Sequence, residues 1–262
     1  MRIISHTCSN TEIICALGGA HLLVGVDDHS DFPAESLGHL PRIGPDIDID
    51  IEKIIALKPD CVVTSLTVPG HERCLAKIQA AGLNHLVTQP VTLGDVITDI
   101  ERIAHLIGHA SAGQRLVAQF KKRLSRPKPS HPPTPLVIEW WPKPVIVPGA
   151  RSWVNEMLEL AGAYNPFGHH TAESLQISAK QATEAAPEGI IMSWCGVLEE
   201  KYRPHVVERR EGWSTIPAII NRHIYPVSEA WLGRPGPRLL EGIDRLAGVV
   251  DLIRHGGSNR NL

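Results

Sequence analysis

This sequence predicts an α/β protein: two Rossmann-like βα lobes joined by a single long α-helix, with a ligand cleft expected between the lobes. Three observations carry that reading. Short β-branched runs alternate with helical patterns over residues 2–108. The alternation stops at two long helical stretches followed by a proline-dense connector, then resumes over residues 136–253. The 262 residues are enough for two cores of ordinary domain size.

Arg2–Ser5, Leu22–Val26, Asp60–Thr64 and Asn84–Thr88 read as strands, each a short apolar run near polar or glycine punctuation. Helical patterns fall between them: Thr11–Leu17 ended by Gly18-Gly19, Ile51–Leu57 ended by Lys58-Pro59, and His71–Ala81 ended by Gly82. Apolar strands alternating with helices predict a parallel sheet covered on both faces. Leu93–Gly108 and Ala110–Leu124 read as two long helices. The second carries Leu116, Val117, Phe120 and Leu124 at three- and four-residue spacing, with Lys121-Lys122-Arg123 where cations suit a helix C-terminus. Five prolines between Ser125 and Pro135 make a stiff, non-helical connector. Leu136–Trp140, Gly189–Ser193 and His223–Val227 then read as strands, and Val154–Leu160 and Arg238–Ile253 as helices. The expected division is a lobe over 1–108, a linker helix and connector over 109–134, and a lobe over 135–262.

Composition narrows the function. The net charge of −2 gives no basic footprint for nucleic acid. No run of about 18 apolar residues occurs, so no membrane span is expected. Met1 leads at once into the first strand, with no secretory leader pattern. The expected compartment is therefore periplasmic or extracytoplasmic if a leader has been removed, and cytoplasmic if Met1 is the native start. Cys8, Cys15, Cys61, Cys74 and Cys195 match no zinc or CxxC spacing and read as reduced, mostly buried thiols, with Cys15 and Cys61 as small core hydrophobes. The chain has neither a Gly-x-Gly-x-x-Gly after its first strand nor a Walker lysine loop, which speaks against a nucleotide-dependent α/β enzyme. His71-Glu72 is not part of a His-Glu-x-x-His motif. The adjacent His169-His170 are expected to point in different directions, as a loop and not a metal site.

All six tryptophans, Trp140, Trp141, Trp153, Trp194, Trp213 and Trp231, lie in the second half; the first 139 residues hold only Phe32 and Phe120. Trp140, Trp194 and Trp231 fall at or just after the ends of expected strands, the edge at which open α/β sheets bind ligands. They read either as core filling or as walls for a flat, largely apolar ligand.

Several stretches resemble one family. Arg2-Ile3-Ile4-Ser5-His6-Thr7-Cys8-Ser9-Asn10-Thr11-Glu12, Val24-Gly25-Val26-Asp27, Pro41-Arg42-Ile43-Gly44 and the run from Asp50 to Val63 are similar to the first lobe of the helical-backbone (class III) periplasmic binding proteins of ABC importers. Trp153–Ala163, Leu175-Gln176-Ile177-Ser178 and Arg234-Pro235-Gly236-Pro237-Arg238-Leu239 resemble their second lobe. Within that family the second lobe is most similar to the cobalamin-binding subgroup. The sequence departs from the pattern at Cys8, where a proline is usual, at Leu66, in place of a pocket tryptophan, and at His29, in place of a tyrosine.

The resemblance implies a substrate-binding protein, not an enzyme, that captures cobalamin or a related corrinoid for import. The alternatives are a haem or iron-siderophore carrier of the same fold, a cytoplasmic corrinoid or metal-binding protein, and an α/β enzyme. No cofactor is required, cobalamin being the ligand, and a monomer is expected with an ABC permease as partner. A corrin needs flat walls and a few polar groups. The residues expected to meet it are Cys8, Ser9 and Asn10 at a helix start, Asp28 and His29 in the second loop, Leu66, and Trp140, Trp141, Trp194 and Trp231. Ser9 and Asn10 also read as plain N-caps. His29 reads first as a solvated loop histidine, with a neutral imidazole ligating cobalt from one axial side as the sharper alternative. The resemblance further implies that Glu72 on the first lobe, and Glu199 or Glu200 on the second, meet arginines of the importer; ordinary solvated surface is the other reading.

Overall fold

The computed structural model describes residues 1–256; the last six positions of the expected second lobe lie outside the described residues. The chain forms two compact units, Met1–Lys122 and Arg123–Leu262.

In the first unit the elements run β1 (Ile3–Ser5), α1 (Cys8–Ala16), β2 (Leu23–Val26), α2 (Ala34–Leu37), α3 (Ile51–Ala56), β3 (Cys61–Ser65), α4 (His71–Ala80), β4 (His85–Thr88), α5 (Leu93–Leu106) and α6 (Ala110–Leu124), which carries the chain across the boundary between the units. Its sheet has the order β2-β1-β3-β4, parallel throughout. Ile3, Ile4, Val62 and Val63 are fully buried, as two central strands covered on both faces require. Ile4 and Val62 share one face and pack with Ile43, Ile49, Ile54, Cys74 and Ile78. Burying each such aliphatic side chain contributes roughly 1.5–3 kcal/mol. Thr92 caps α5 through a reciprocal box with Asp95.

The second unit follows with β5 (Thr134–Glu139), β6 (Trp141–Pro142), β7 (Val145–Pro148), α7 (Val154–Ala161), β8 (Ala163–Tyr164), β9 (Ser174–Gln176), α8 (Ala179–Ala185), β10 (Gly189–Met192), α9 (Pro204–Glu208), α10 (Pro217–Ile220), β11 (Ile224–Pro226), α11 (Glu229–Leu232) and α12 (Leu239–Arg254). Its main sheet is again parallel, in the order β11-β10-β5-β8. A small antiparallel sheet, β6-β7-β9, was not expected from the sequence. α7 and α12 pack on each other. Among the described residues no helix is long and apolar enough to cross a membrane.

Three local expectations are corrected. α1 begins at Cys8, three positions before the expected Thr11, because the chain turns directly out of β1 through Thr7 at φ +92°. Cys195 is exposed and Cys15 only half-buried, so the cysteines are less uniformly internal than their apolar neighbours suggested. The His169 and His170 rings do not diverge; their centroids lie 4.1 Å apart.

Candidate functional site

Because all four strands of the first sheet run the same way, their C-terminal ends share one edge, and the chain leaving them is polar. Thr11 Oγ1 lies 2.8 Å from Ser5 Oγ and 2.7 Å from Ser30 Oγ. The Ser30 hydroxyl donates to buried Asp27. Burial pushes the Asp27 carboxyl up, against the pull of the Ser30 and His29 hydrogen bonds. Asn10 donates to the His6 carbonyl (3.3 Å) and accepts from Thr88 Oγ1 (3.1 Å), tying α1 to the end of β4. Ser9 Oγ lies 3.2 Å from Thr7 Oγ1. Neither side chain is the N-cap of α1, a position held by Thr7. The strained φ of a β-branched residue at this turn persists where surrounding bonds over-determine it.

At the same edge, Asp46 gathers three histidines. Its backbone carbonyl accepts from His6 Nε2 and from Cys74 Sγ, the latter at 3.3 Å. Its carboxylate faces His71 Nε2 through Oδ2 at 3.4 Å and His29 Nε2 through Oδ1 at 3.6 Å. His6 Nε2 meets a carbonyl, so that nitrogen carries the proton and Nδ1 accepts from Thr64 Oγ1 at 2.7 Å. Burial, with the His71 charge, drives the His6 pKa down to about 4, so the ring is neutral. His71, 1% exposed at the start of α4, has a buried Nδ1 with no hydrogen-bond partner among the described residues. Burial pushes the Asp46 carboxyl up, but the His71 bond and the charges of His29, His71 and His6 outweigh it and hold it below the usual range. Among the described residues no group of three or more His, Cys, Asp or Glu is placed to hold a free metal ion.

The expected residues of this unit are distributed as follows. Cys8 is half-buried at the first position of α1, whereas Ser9 and Asn10 are buried in the network. Asp28 is exposed and gives its backbone N–H to Gly44. The His29 side chain is 48% exposed. Leu66 is half-buried, its N–H bonded to the Thr88 carbonyl. Glu72 is exposed and accepts from the Gly70 N–H at 2.8 Å.

In the second unit the edge is organised by Glu139, the last residue of β5 and fully buried. Arg210 grips it with two bonds (2.6 and 3.0 Å), and Trp194 Nε1 donates to it at 2.9 Å. The expectation that Trp194 walls a ligand is corrected. Its indole is 6% exposed and packs into the apolar core beside Tyr202, 5.3 Å away. Trp231 is half-buried, with the guanidinium carbons of Arg245 and Arg238 at 4.3 and 5.2 Å from its ring. Trp140 is half-buried, its backbone pinned to Ile146 and Cys195, and Trp141 is 40% exposed. Glu199 and Glu200 are exposed on a single 3-10 turn.

Sequence reasoning missed His6, Asp46, His71 and Glu139. Asp46 lies in a long connection with no periodicity to mark it. His6 and Glu139 were detectable only as polar residues beside apolar strands.

Two α/β units, each with a parallel sheet whose strand ends carry hydrogen-bonding side chains or indoles, define an α/β ligand-binding protein. The sequence pattern of the periplasmic binding protein family matches residues 3–230, and the chain belongs to that family. It is 28% identical over 260 residues to the vitamin B12-binding protein of Vibrio cholerae serotype O1, covering 97% of this chain and 90% of that one. An uncharacterized ABC transporter substrate-binding lipoprotein of Bacillus subtilis (strain 168), YvrC, is 28% identical over 255 residues, 94% of this chain and 78% of that one. Among solved structures, the periplasmic vitamin B12 binding protein BtuF of Vibrio cholerae superimposes with a TM-score of 0.78 at 27% identity, covering 97% of each chain. The apo periplasmic haem-binding protein RhuT of Roseiflexus sp. RS-1 gives 0.81 at 26% identity, covering 96% of this chain and 98% of that one.

Proposed function

We propose that this chain is an extracytoplasmic substrate-binding protein that captures cobalamin or a related corrinoid and delivers it to an ABC-type permease, without catalysing a reaction on it. The observation that carries the reading is the end-to-end similarity to vitamin B12-binding relatives, which spans both units. The residues offered to the ligand on the first unit are Cys8, Asp28, His29 and Leu66, with Ser9 and Asn10 stiffening the edge from within. On the second unit they are Trp140 and Trp141, the two tryptophans near β5 that keep solvent-accessible surface, and the rim of Trp231 left beside its arginines. His29 is the proposed axial ligand to the corrin cobalt. Glu72, Glu199 and Glu200 are the proposed contacts to the permease. In this reading α6 and the proline connector after it form the tie between two lobes, close to a 1–108, 109–134 and 135–262 division.

A haem carrier is the second reading, favoured by the similarity to RhuT. Titration of tryptophan fluorescence with hydroxocobalamin, haemin and a ferric siderophore separates the two. Quenching by hydroxocobalamin at the lowest concentration supports the proposal. Quenching by haemin or the siderophore alone overturns it in favour of the other cargo.

A further inference from the structure

The geometry points to Asp46 as the residue that positions His29 as an axial donor, by holding the proton on His29 Nε2 and so leaving Nδ1 as the lone-pair nitrogen for the metal of a bound macrocycle. This inference rests on the ligand reading above and assigns the part of a residue that reading did not include.

Asp46 is itself fixed from several sides. His6 and Cys74 bind its backbone carbonyl, so the peptide cannot swing. His71, buried at the start of α4, takes Oδ2 at 3.4 Å. The remaining oxygen, Oδ1, faces His29 Nε2 at 3.6 Å, within ion-pair distance though longer than a hydrogen bond, so Nε2 and not Nδ1 is the nitrogen turned to the carboxylate. A carboxylate acts only as an acceptor, and the hydrogen bond made by one imidazole nitrogen decides which form the other presents. Carboxylate partners of this kind fix ring orientation and raise ligand basicity.

The ligand count agrees. A free ion would find too few donors here, consistent with the lack of any three-residue metal cluster among the described residues. A tetrapyrrole or corrin metal brings four equatorial nitrogens and needs only axial donors from the protein. One oriented histidine suffices.

The test follows hydroxocobalamin and haemin binding to the full chain by two signals: tryptophan fluorescence for capture, and the visible spectrum of the probe for axial ligation. In the wild type a spectral shift accompanies quenching. His29→Ala abolishes the shift while quenching persists. Asp46→Ala retains the backbone bonds to His6 and Cys74, and weakens the ligation-linked affinity 10- to 100-fold. Asp46→Asn provides a second variant of nearly the same shape, expected to lie between the two. Quenching without any spectral shift in the wild type overturns the axial assignment. A shift unchanged in both Asp46 variants overturns the positioning role alone. Absence of quenching by either probe instead defeats the ligand reading, and this inference falls with it.

Discussion

Arg210 meets Glu139 with two guanidinium nitrogens, one on each carboxylate oxygen, while the face of the same guanidinium lies 4.2 Å from the Trp213 ring. The carboxylate is fully buried and the arginine nearly so. A charge removed from water this completely is tolerated only when paired. Arg210→Ala therefore strands a buried anion and is expected to lower unfolding free energy by roughly 3–5 kcal/mol. The double variant Glu139→Gln, Arg210→Met retains an acceptor for the Trp194 indole and fills most of the volume, so it should lose less than the single variant. Urea titrations of the three proteins check the order; a single variant as stable as wild type contradicts it.

Gly242 sits under Trp231. A Cβ at position 242 would lie 2.1 Å from the Trp231 carbonyl oxygen and 2.9 Å from Met157 Cε. Residues 238, 242 and 245 share one face of the α12 end, so the two arginines that flank the indole and the glycine that admits its backbone form one seat. Gly242→Ala must move α11, because the nearest obstacle is backbone and not the end of a flexible side chain. A loss of about 1–3 kcal/mol is expected from the overpacking, with a changed near-ultraviolet circular dichroism band from displaced Trp231. An unaltered band with wild-type stability would show that α11 yields freely.

Glu72 has a duty within its own unit. At the second position of α4 its carboxylate accepts its own backbone N–H and that of Gly70, and these bonds hold its pKa down. Anionic acceptors suit a helix start. Glu72→Ala is expected to lower the melting temperature slightly, whereas Glu72→Gln retains the acceptor and stays closer to wild type. If Glu72 also contacts a permease, Glu72→Gln should weaken docking while leaving cobalamin capture intact, because the variant removes charge and little else.

These cases show where the sequence was readable. The strands β1, β3, β4 and β10 and the helices α4, α5, α6 and α12 were found nearly to their ends, because burial on one or both faces imposes a period on the sequence. The β6-β7-β9 sheet was not, since strands of two to four residues leave no period to detect. The candidate edge was half legible. Cys8, His29 and Leu66 were flagged through resemblance, but Asp46 draws its importance from contacts with residues 6, 29, 71 and 74, which no local pattern encodes. Trp194 misled for a related reason: position at the end of a strand fixes which edge a residue occupies, not whether its side chain turns inward to Glu139.

Two buried groups give the fold opposing responses to acid. His6 has a pKa of about 4 in the folded chain against an ordinary 6.5, so between these values the unfolded chain binds more protons and stability falls as pH drops from 6.5 towards 4. Asp99 lies the other way. Burial raises its pKa from 3.8 to about 6 despite its bond to Arg102, so the folded chain binds more protons between pH 6 and 3.8 and stability rises as pH drops through that range. Each effect is on the order of 3 kcal/mol at full extent, so the two largely cancel between pH 6 and 4. Asp99→Asn removes the gain, and the advantage of wild type over this variant should grow as pH falls from 7 to 4. His6→Gln removes the loss, and the advantage of wild type over that variant should shrink over the same interval. Urea midpoints measured at several pH values check both, and comparison of each variant with wild type lets the remaining titrations drop out. Parallel pH profiles for wild type and Asp99→Asn would mean that the Asp99 carboxyl titrates alike in the folded and unfolded chains.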